Sequence, residues 1–204
     1  MAMRSLDLNS LESLYRYFPT RLRERARWRE LAQQAATLLA EQGHYGLPAL
    51  LPSFVHARVA AALAASGLIG RRSLQSMAIL TLGAHAGLEV RILQDLGAGT
   101  VLGVERDPRL VAVGHQLGLA DPASLVVGDS WEFLSENRSV WDRILVLAPQ
   151  RLALTPLWDQ ARSRLTPTGC LVVLAHRGEA SDAPPQANPR PALEDTMLAW
   201  VFRR

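Results

Sequence analysis

The sequence predicts an α/β fold, in which a mostly parallel, doubly wound sheet follows an N-terminal helical segment. The first observation is that apolar residues upstream of about residue 75 recur at helical spacing. The second is that short apolar runs alternate with helical segments further on, as in strand-helix units around a parallel sheet. The third is size, because 204 residues with 49% apolar side chains can bury one substantial core.

The helical segment is assigned to residues 1–75 and the α/β domain to residues 76–204. Two or three helices are expected before residue 41, the first built on Leu8, Leu11, Leu14 and Phe18 and the next on Trp28, Leu31, Ala35 and Leu39. A loop is expected at residues 42–48. A further helix is predicted over residues 53–66, because Ser53 can cap its first turn and Gly67 can end it.

The α/β domain is predicted from its apolar runs and capping residues. Five strands are expected in its parallel part, over residues 78–82, 101–105, 125–127, 143–147 and 170–175. Helices are expected over residues 88–96, 108–117, 130–136 and 156–165, with Asp107 as the cap before Pro108. Residues 181–191 are rich in proline and predict an exposed connection, which leads to a single last strand over residues 196–202.

Composition excludes several classes of protein. The lone Cys170 cannot form a disulfide scaffold, and the absence of lysine excludes a lysine nucleophile. The longest weakly polar stretch, residues 59–70, is too short to span a bilayer. Because the first residues lack the apolar core of a signal peptide, a cytoplasmic location is expected.

The net charge of +3 lies entirely in the first thirty residues, where seven arginines face four acids. The arginines at 21, 23, 25, 27 and 29 raise the question of nucleic-acid binding. On a helix, residues two apart lie about 200° apart, so these side chains spread around the axis. Glu24 and Glu30 can pair with neighbours three or four residues away. A solvated helix is therefore favoured, whereas RNA binding would predict a steep loss of affinity with salt.

Three predicted strands are followed by residues that suit one nucleoside. A turn rich in small residues, at positions 81–87, follows the first strand and leads into a helix, where the backbone can approach an anionic ligand. Glu105 ends the second strand, about twenty residues later, and can accept both hydroxyl protons of a ribose. Asp129 follows the third strand and can accept from the amine of a purine. This order at the carboxyl ends of successive strands describes a nucleoside site.

Residues 77–175 resemble the core of the class I S-adenosylmethionine-dependent methyltransferases, which have a Rossmann-like fold. Gly83, Ala84 and Gly87 match the glycine-rich turn of that family, Glu105 its ribose-binding acid, and Asp129 its adenine-contacting acid. The stretch at residues 79–87 is similar to the turn of the catechol O-methyltransferase branch, which also tolerates a bulky residue between its glycines. A dinucleotide fingerprint fits less well, because it would need glycine at positions 85 and 88.

The resemblance implies S-adenosylmethionine as cofactor. The residues it implies for cofactor binding are Thr81, Gly83, Ala84, His85, Gly87, Glu105, Arg106, Asp129 and Ser130. Thr81 stands where the family usually has an acid that holds the methionine amino group, and a hydroxyl accepts that bond more weakly. After the fourth strand, Ala148, Pro149 and Gln150 provide neither the acid of the magnesium site in the catechol branch nor an Asn/Asp-Pro-Pro motif. A metal-independent reaction is therefore expected, with no catalytic residue identified.

Several of these residues have a second interpretation. His85 can contact the methionine carboxylate or point into solvent, and Glu105 can bind ribose or pair with Arg106. Asp129 can contact adenine, cap the next helix, or do both. Asp142 is expected to serve the turn at the start of the fourth strand. The upstream aromatic residues, of which one can act on an acceptor if this segment covers the cofactor, are Tyr15, Tyr17, His44, Tyr45 and His56.

These observations predict a methyltransferase acting on a small molecule at oxygen or nitrogen, with the N-terminal segment as a lid or dimerisation element. The alternative is an inactive or partner-dependent binding module of the same fold. The chain after residue 175 is short for the family, which usually ends in a helix and an antiparallel strand pair. A second copy or a partner subunit is therefore expected to complete the sheet, while nucleic-acid and membrane partners are not expected.

Overall fold

The structure is a computed structural model, and it describes Phe18 and residues 21–43, 52–68, 70–147, 154–176, 190–192 and 197–204. Within these ranges the helices are α1 (Leu22–Glu41), α2 (Pro52–Ala65), α3 (Leu88–Leu96), α4 (Pro108–Gln116), α5 (Ser130–Glu136) and α6 (Leu154–Ala161). Short 3-10 turns cover Arg71–Leu74 and Arg162–Arg164. The strands are β1 (Ala78–Leu82), β2 (Thr100–Glu105), β3 (Leu125–Val127), β4 (Trp141–Leu147), β5 (Leu165–His176), β6 (Arg190–Ala192) and β7 (Met197–Arg203).

The described strands form one mixed sheet in the order β3-β2-β1-β4-β5-β7-β6. Strands β1 to β5 run parallel to one another, and β7 runs antiparallel to both β5 and β6. The chain order reverses between β1 and β4, so the carboxyl ends of these strands form the crevice at which ligands bind in such sheets. The prediction of a mostly parallel, doubly wound α/β fold is confirmed.

Helix ends follow from the residues at the caps. Gly67, with φ of +89°, ends α2 in a Schellman motif, in which Gly67 N–H donates to Ala64 O and Leu68 N–H to Leu63 O. The Asp107 carboxylate accepts from the Arg109 N–H at the start of α4, as predicted. Helix α2 begins at Pro52, so Ser53 lies inside the helix and not at its cap.

The sheet separates two hydrophobic layers. Alternate residues of β1 show the division, since Ile79 packs with α1 to α4 while Leu80 packs with α5 and α6 on the opposite face. Helix α2 lies within the first layer, and its residues 55–65 are all buried. The described helices upstream of residue 75 therefore share one core with the sheet. Their role as a lid or dimerisation element stays a prediction.

Polar contacts tie α1 to the end of α3. The Trp28 indole donates to an Asp95 carboxylate oxygen at 2.7 Å, and the Trp28 ring stacks on His56 of α2 with centroids 5.4 Å apart. Arg71 donates to the Asp95 carbonyl at 2.7 Å and pairs with Glu24 at 2.6 Å. Glu24 thus pairs with Arg71 of another element, and it also accepts from the Arg21 N–H, three residues away at the start of its own helix, at 2.8 Å.

The C-terminal part differs from the prediction. Strand β5 starts at Leu165, five residues earlier than expected, because α6 ends at Ala161. The expectation of a single last strand is wrong, since β6 and β7 form an antiparallel pair at the sheet edge.

Some of the predicted segments lie outside the described residues: the expected helix before Phe18, most of the loop at residues 42–48, the segment 148–150 and residues 181–189. In the part of the chain that is described, no helix has the length and apolar character needed to cross a membrane.

Candidate functional site

The turn between β1 and α3 is shaped by left-handed backbone. Gly83, His85 and Gly87 have φ angles of +70°, +46° and +83°, a region that glycine enters freely and other residues rarely adopt. The N–H groups of Gly83 and Ala84 donate to the Val104 carbonyl at 2.9 and 3.1 Å, which binds the turn to β2. Apart from its two chain neighbours, no described residue has an atom within 4 Å of the position that a Cβ on Gly83 would take. Open space therefore lies above the turn at this position.

Glu105 organises the neighbouring strand end. One carboxylate oxygen accepts from the His85 N–H and the other from the Asp107 N–H, each at 2.9 Å. No ion pair joins Glu105 to Arg106 among the described residues, so the surface-pair interpretation is not supported. A carboxylate offers about four lone-pair sites. Each oxygen of Glu105 therefore keeps acceptor capacity, and the side chain is only half-buried.

Asp129 combines a capping role with a free acceptor. Its Oδ1 accepts from the N–H groups of Trp131 and Glu132 at the start of α5, at 2.8 and 3.3 Å. Among the described residues nothing donates to Oδ2, and the side chain is half-buried. The preceding Gly128 donates its N–H to the Glu105 carbonyl at 2.9 Å, which places the two acids side by side. Ser130 is half-buried beside them and Arg106 is exposed.

Two of the small residues predicted to bind cofactor are turned inward. Gly87 is buried, and a Cβ there would lie 2.9 Å from Leu125 Cδ2. Ala84 is 1% exposed and lies against Gly103, where a Cβ would approach the Ala84 methyl to 2.8 Å. These residues let α3 pack closely on the sheet. Their direct contact with a cofactor stays a prediction.

A cluster of buried polar groups lies behind the turn. Thr81 is 1% exposed and shares the face of β1 with Ile79, toward α2 and α3. Its hydroxyl has no hydrogen-bond partner in the described structure. Arg58 of α2 is 0% exposed and donates from Nη1 to the Leu147 carbonyl at 3.1 Å, at the end of β4. Glu89, in the first turn of α3, is 2% exposed.

His85 is the member of this cluster that reaches solvent, with a quarter of its side chain exposed. Its Nδ1 lies 3.5 Å from Glu89 Oε1, so the side chain does not simply point into solvent. Burial lowers the pKa of His85, but the carboxylates of Glu89 and Glu105 raise it by more, and the net shift is upward. Burial lowers the pKa of the Arg58 guanidinium, and the charge of Glu89 opposes that shift.

Arg58 and Glu89 were not among the residues predicted from the sequence. A signal was present for Arg58, since it is a lone charge in an alanine-rich apolar run that forms α2. Buried arginines are rare unless they are paired. Glu89 follows Gly87 by two residues, but an acid in the first turn of a helix is common there because it complements the helix dipole. Sequence spacing could not show that the charge of Glu89 acts on Arg58.

Other residues considered from the sequence lie away from this cluster. Asp142 accepts from the Ala78 N–H at 2.9 Å and the Thr166 hydroxyl at 3.0 Å, at the amino end of β4, as expected for a strand-start residue. His56 is buried against Trp28. The arginines at 21, 23, 27 and 29 are exposed, and those within α1 are spread around its axis. In the described ranges, no group of three or more His, Cys, Asp or Glu side chains is placed to hold a metal ion.

Comparisons with solved structures identify the fold of the chain. No family model matches the sequence, and no curated protein matches it. Among solved structures, human methyltransferase-like protein 13 in complex with SAH (S-adenosylhomocysteine) is similar over 71% of this chain and 81% of its own, with 16% identity and a TM-score of 0.56. The fold is that of the S-adenosylmethionine-dependent methyltransferases. A conserved hypothetical protein of Streptococcus pyogenes matches over 62% of this chain and 85% of its own, at 12% identity and a TM-score of 0.52.

TrmN from Thermus thermophilus has the same TM-score of 0.56 and 18% identity over 85% of this chain. The chain spans about half, 52%, of the length of TrmN. Within the methyltransferase fold, the carboxyl edge of the sheet suits an adenosyl cofactor, because Glu105 and Asp129 keep free acceptors beside the open space at Gly83. The residues present therefore fit S-adenosylmethionine.

Proposed function

We propose that the protein binds S-adenosylmethionine and transfers its methyl group to a small molecule. The observation that carries this proposal is the Glu105 carboxylate. It ends β2, is held by the backbone of the β1–α3 turn at 2.9 Å, and keeps acceptor capacity beside the open face of Gly83. This is the geometry needed to accept both hydroxyl protons of a ribose at the switch point of the sheet.

The rest of the adenosyl group has its own candidate partners. Asp129 Oδ2 is free to accept from the adenine amine while Oδ1 caps α5, so the two roles predicted for this residue are compatible. The left-handed turn at Gly83 and His85 presents backbone to the ligand. Arg106 and Ser130 border the two acids and are proposed as peripheral contacts.

The cofactor supplies a methyl group on a sulfonium, which is already activated for displacement. The protein then contributes mainly proximity and alignment, and a general base is needed only if the acceptor must lose a proton. A metal-independent reaction is proposed because Ala148, Pro149 and Gln150, which follow β4, include no carboxylate. The acidic residue of β4, Asp142, is engaged at the opposite end of the sheet.

A small acceptor is proposed, with the helical segment upstream of β1 covering one side of this edge. Arg58 of α2 reaches the carboxyl end of β4, so the N-terminal segment borders the site as a lid would.

A cytoplasmic location is also proposed for the protein. A homodimer or partner subunit is also proposed, since, in the described part of the chain, residues 200–203 of β7 extend past the three residues of β6 and have no strand on that side. Sedimentation equilibrium of the full chain tests that association.

The decisive experiment is calorimetric titration of the full chain with S-adenosylmethionine and S-adenosylhomocysteine. Micromolar binding of both is expected, and an absence of binding at millimolar concentration overturns the proposal. Transfer from methyl-labelled cofactor is then measured for panels of phenols, amines and carboxylates, with RNA and protein as comparison acceptors. Labelling of RNA or protein alone overturns the small-molecule acceptor and leaves the methyltransferase activity standing.

The alternative of an inactive binding module is favoured by the replacement of the family acid by Thr81, by the bulky His85 in the turn and by the absence of an acid at Ala148, Pro149 and Gln150. A module of that kind binds cofactor but labels none of the acceptors. Binding without transfer across every panel would therefore favour it. If labelled RNA appears, weakening of RNA binding on raising salt from 50 to 200 mM would show that phosphate contacts contribute, and loss of that salt dependence on replacing the exposed Arg23, Arg27 and Arg29 would assign them to α1.

A further inference from the structure

We propose that Arg58 and Glu89 bind the amino-acid end of S-adenosylmethionine, Arg58 receiving the carboxylate and Glu89 the ammonium. This inference rests on the proposed function and deepens it. In related methyltransferases an acid at the end of the first strand holds the amino group, and here that position is Thr81. The proposal places that negative charge on Glu89, in the first turn of α3.

Thr81 is unable to replace that acid by itself. A hydroxyl carries no charge, and the Thr81 side chain is 1% exposed with no hydrogen-bond partner in the described structure. An unpartnered buried hydroxyl costs free energy, so its retention calls for a reason. It lies on the face of β1 that meets α2 and α3, the helices that carry Arg58 and Glu89. A donor arriving between these elements would satisfy it.

Arg58 is held at the correct edge of the sheet. Its Nη1 donates to the carbonyl of Leu147, the last residue of β4, at 3.1 Å. The β1–β4 register pairs Leu82 with Val146, so Leu147 lies level with Gly83 at the open turn. Burial of a guanidinium is costly unless charge and hydrogen bonds compensate it. A cation fixed at this level suits the carboxylate of a ligand whose ribose is bound by Glu105.

Glu89 supplies the matching anion. It is 2% exposed, and its Oε1 has no hydrogen-bond partner in the described structure. His85 Nδ1 lies 3.5 Å from this oxygen, an ion contact when the ring is protonated. His85 is also the member of the cluster nearest to solvent. The ligand ammonium therefore enters by displacing the His85 ring from Glu89, because both cations require the same carboxylate.

The test is calorimetric titration with matched pairs of ligands. S-Adenosylhomocysteine and 5′-methylthioadenosine are both thioethers, and the second lacks the amino-acid end. S-Adenosylmethionine and its decarboxylated form are both sulfonium ions, and the second lacks only the carboxylate. The variants are Arg58→Gln and Glu89→Gln. Arg143→Gln is the control, since Arg143 is also buried on this face but bonds Ser66 at the amino end of β4.

We expect the wild type to bind S-adenosylhomocysteine at least tenfold more tightly than methylthioadenosine. Arg58→Gln and Glu89→Gln should each reduce that ratio at least tenfold, with methylthioadenosine affinity within twofold of wild type. Arg58→Gln should weaken S-adenosylmethionine binding but not that of its decarboxylated form, whereas Glu89→Gln should weaken both. Arg143→Gln should change none of these ratios.

This inference is overturned if either Arg58→Gln or Glu89→Gln keeps the wild-type ratio of the affinities for S-adenosylhomocysteine and methylthioadenosine. Equal binding of the two thioethers by the wild type also overturns it and leaves the nucleoside site intact. Failure of the wild type to bind any of the four ligands instead overturns the proposed function. Since one buried charge without its partner can unfold the chain, the variant Arg58→Met/Glu89→Gln removes both charges together. It should bind both thioethers equally, and a retained preference overturns the inference.

Discussion

Replacing Glu105 by Gln distinguishes its role in holding the β1–α3 turn from its proposed role in binding the ligand. The carboxylate accepts from the N–H groups of His85 and Asp107, each at 2.9 Å. An amide keeps one acceptor oxygen and turns an NH2 toward the other N–H, so one backbone donor loses its partner. The expected loss is about 2 kcal/mol in the free energy of unfolding. For a chain of this length, that lowers the melting temperature by about 4–8 °C.

The same substitution weakens the proposed ribose contact. A carboxylate can accept from both ribose hydroxyls with charge-assisted hydrogen bonds, whereas the amide accepts from one of them without a charge. A loss of about 2 kcal/mol corresponds to about 30-fold weaker binding of S-adenosylhomocysteine. Isothermal titration calorimetry measures the affinity, and thermal unfolding followed by circular dichroism measures the stability.

Asp142→Asn is the matched control. Asp142 also accepts from one backbone N–H, that of Ala78 at 2.9 Å, and from one hydroxyl, that of Thr166 at 3.0 Å. It lies at the opposite end of the sheet from Glu105. Both variants should lose stability, and only Glu105→Gln should lose affinity. If Glu105→Gln melts earlier but binds as tightly as wild type, Glu105 serves the turn alone and the ribose assignment is refuted.

Three further predictions concern stability and are measured by urea unfolding. Burial, Arg25 and Arg71 lower the pKa of His56 from 6.5 to about 4, so the unfolded chain binds a proton first as pH falls. His56 should therefore lower the free energy of unfolding by about 2 kcal/mol between pH 7 and pH 5. The variant His56→Phe, which keeps a ring against Trp28, should remove that loss. If the free energy of unfolding of the variant falls with pH as it does in the wild type, the assignment to His56 is wrong. Gly114→Ala should destabilise the chain by about 3 kcal/mol, because its Cβ would lie 2.4 Å from the Ala86 carbonyl oxygen. Gly118→Ala is the control and should lose about 1 kcal/mol, because Gly118 has a φ of +62° but open space around its Cβ position. Equal losses in the two variants would contradict the packing argument. Thr81→Val should stabilise the chain by about 1 kcal/mol, since it removes a buried hydroxyl without a partner in the described structure, and a destabilised variant would show that the hydroxyl is bonded.

The sequence by itself determined the local elements and the order of the site. Strands β1 and β3 and helices α3 and α5 have the predicted bounds, because period-two apolar runs, glycine turns and capping acids act over a few residues. The turn at Gly83, the acid Glu105 and the acid Asp129 each follow a strand. Their meeting at one edge follows from the parallel arrangement alone.

Only the tertiary structure decided which distant residues meet. Arg58 reaches the carbonyl of Leu147, 89 residues away, and shares its cluster with Glu89 across two helices. Strand β6 is three residues long and has no periodicity to detect, and it is recognised by its pairing with β7. Local patterns report the faces of single elements, whereas the partner of a buried charge depends on how those faces are stacked. The physical reason is that long-range contacts are selected by the packing of the whole sheet and its helices, which no short window of sequence contains.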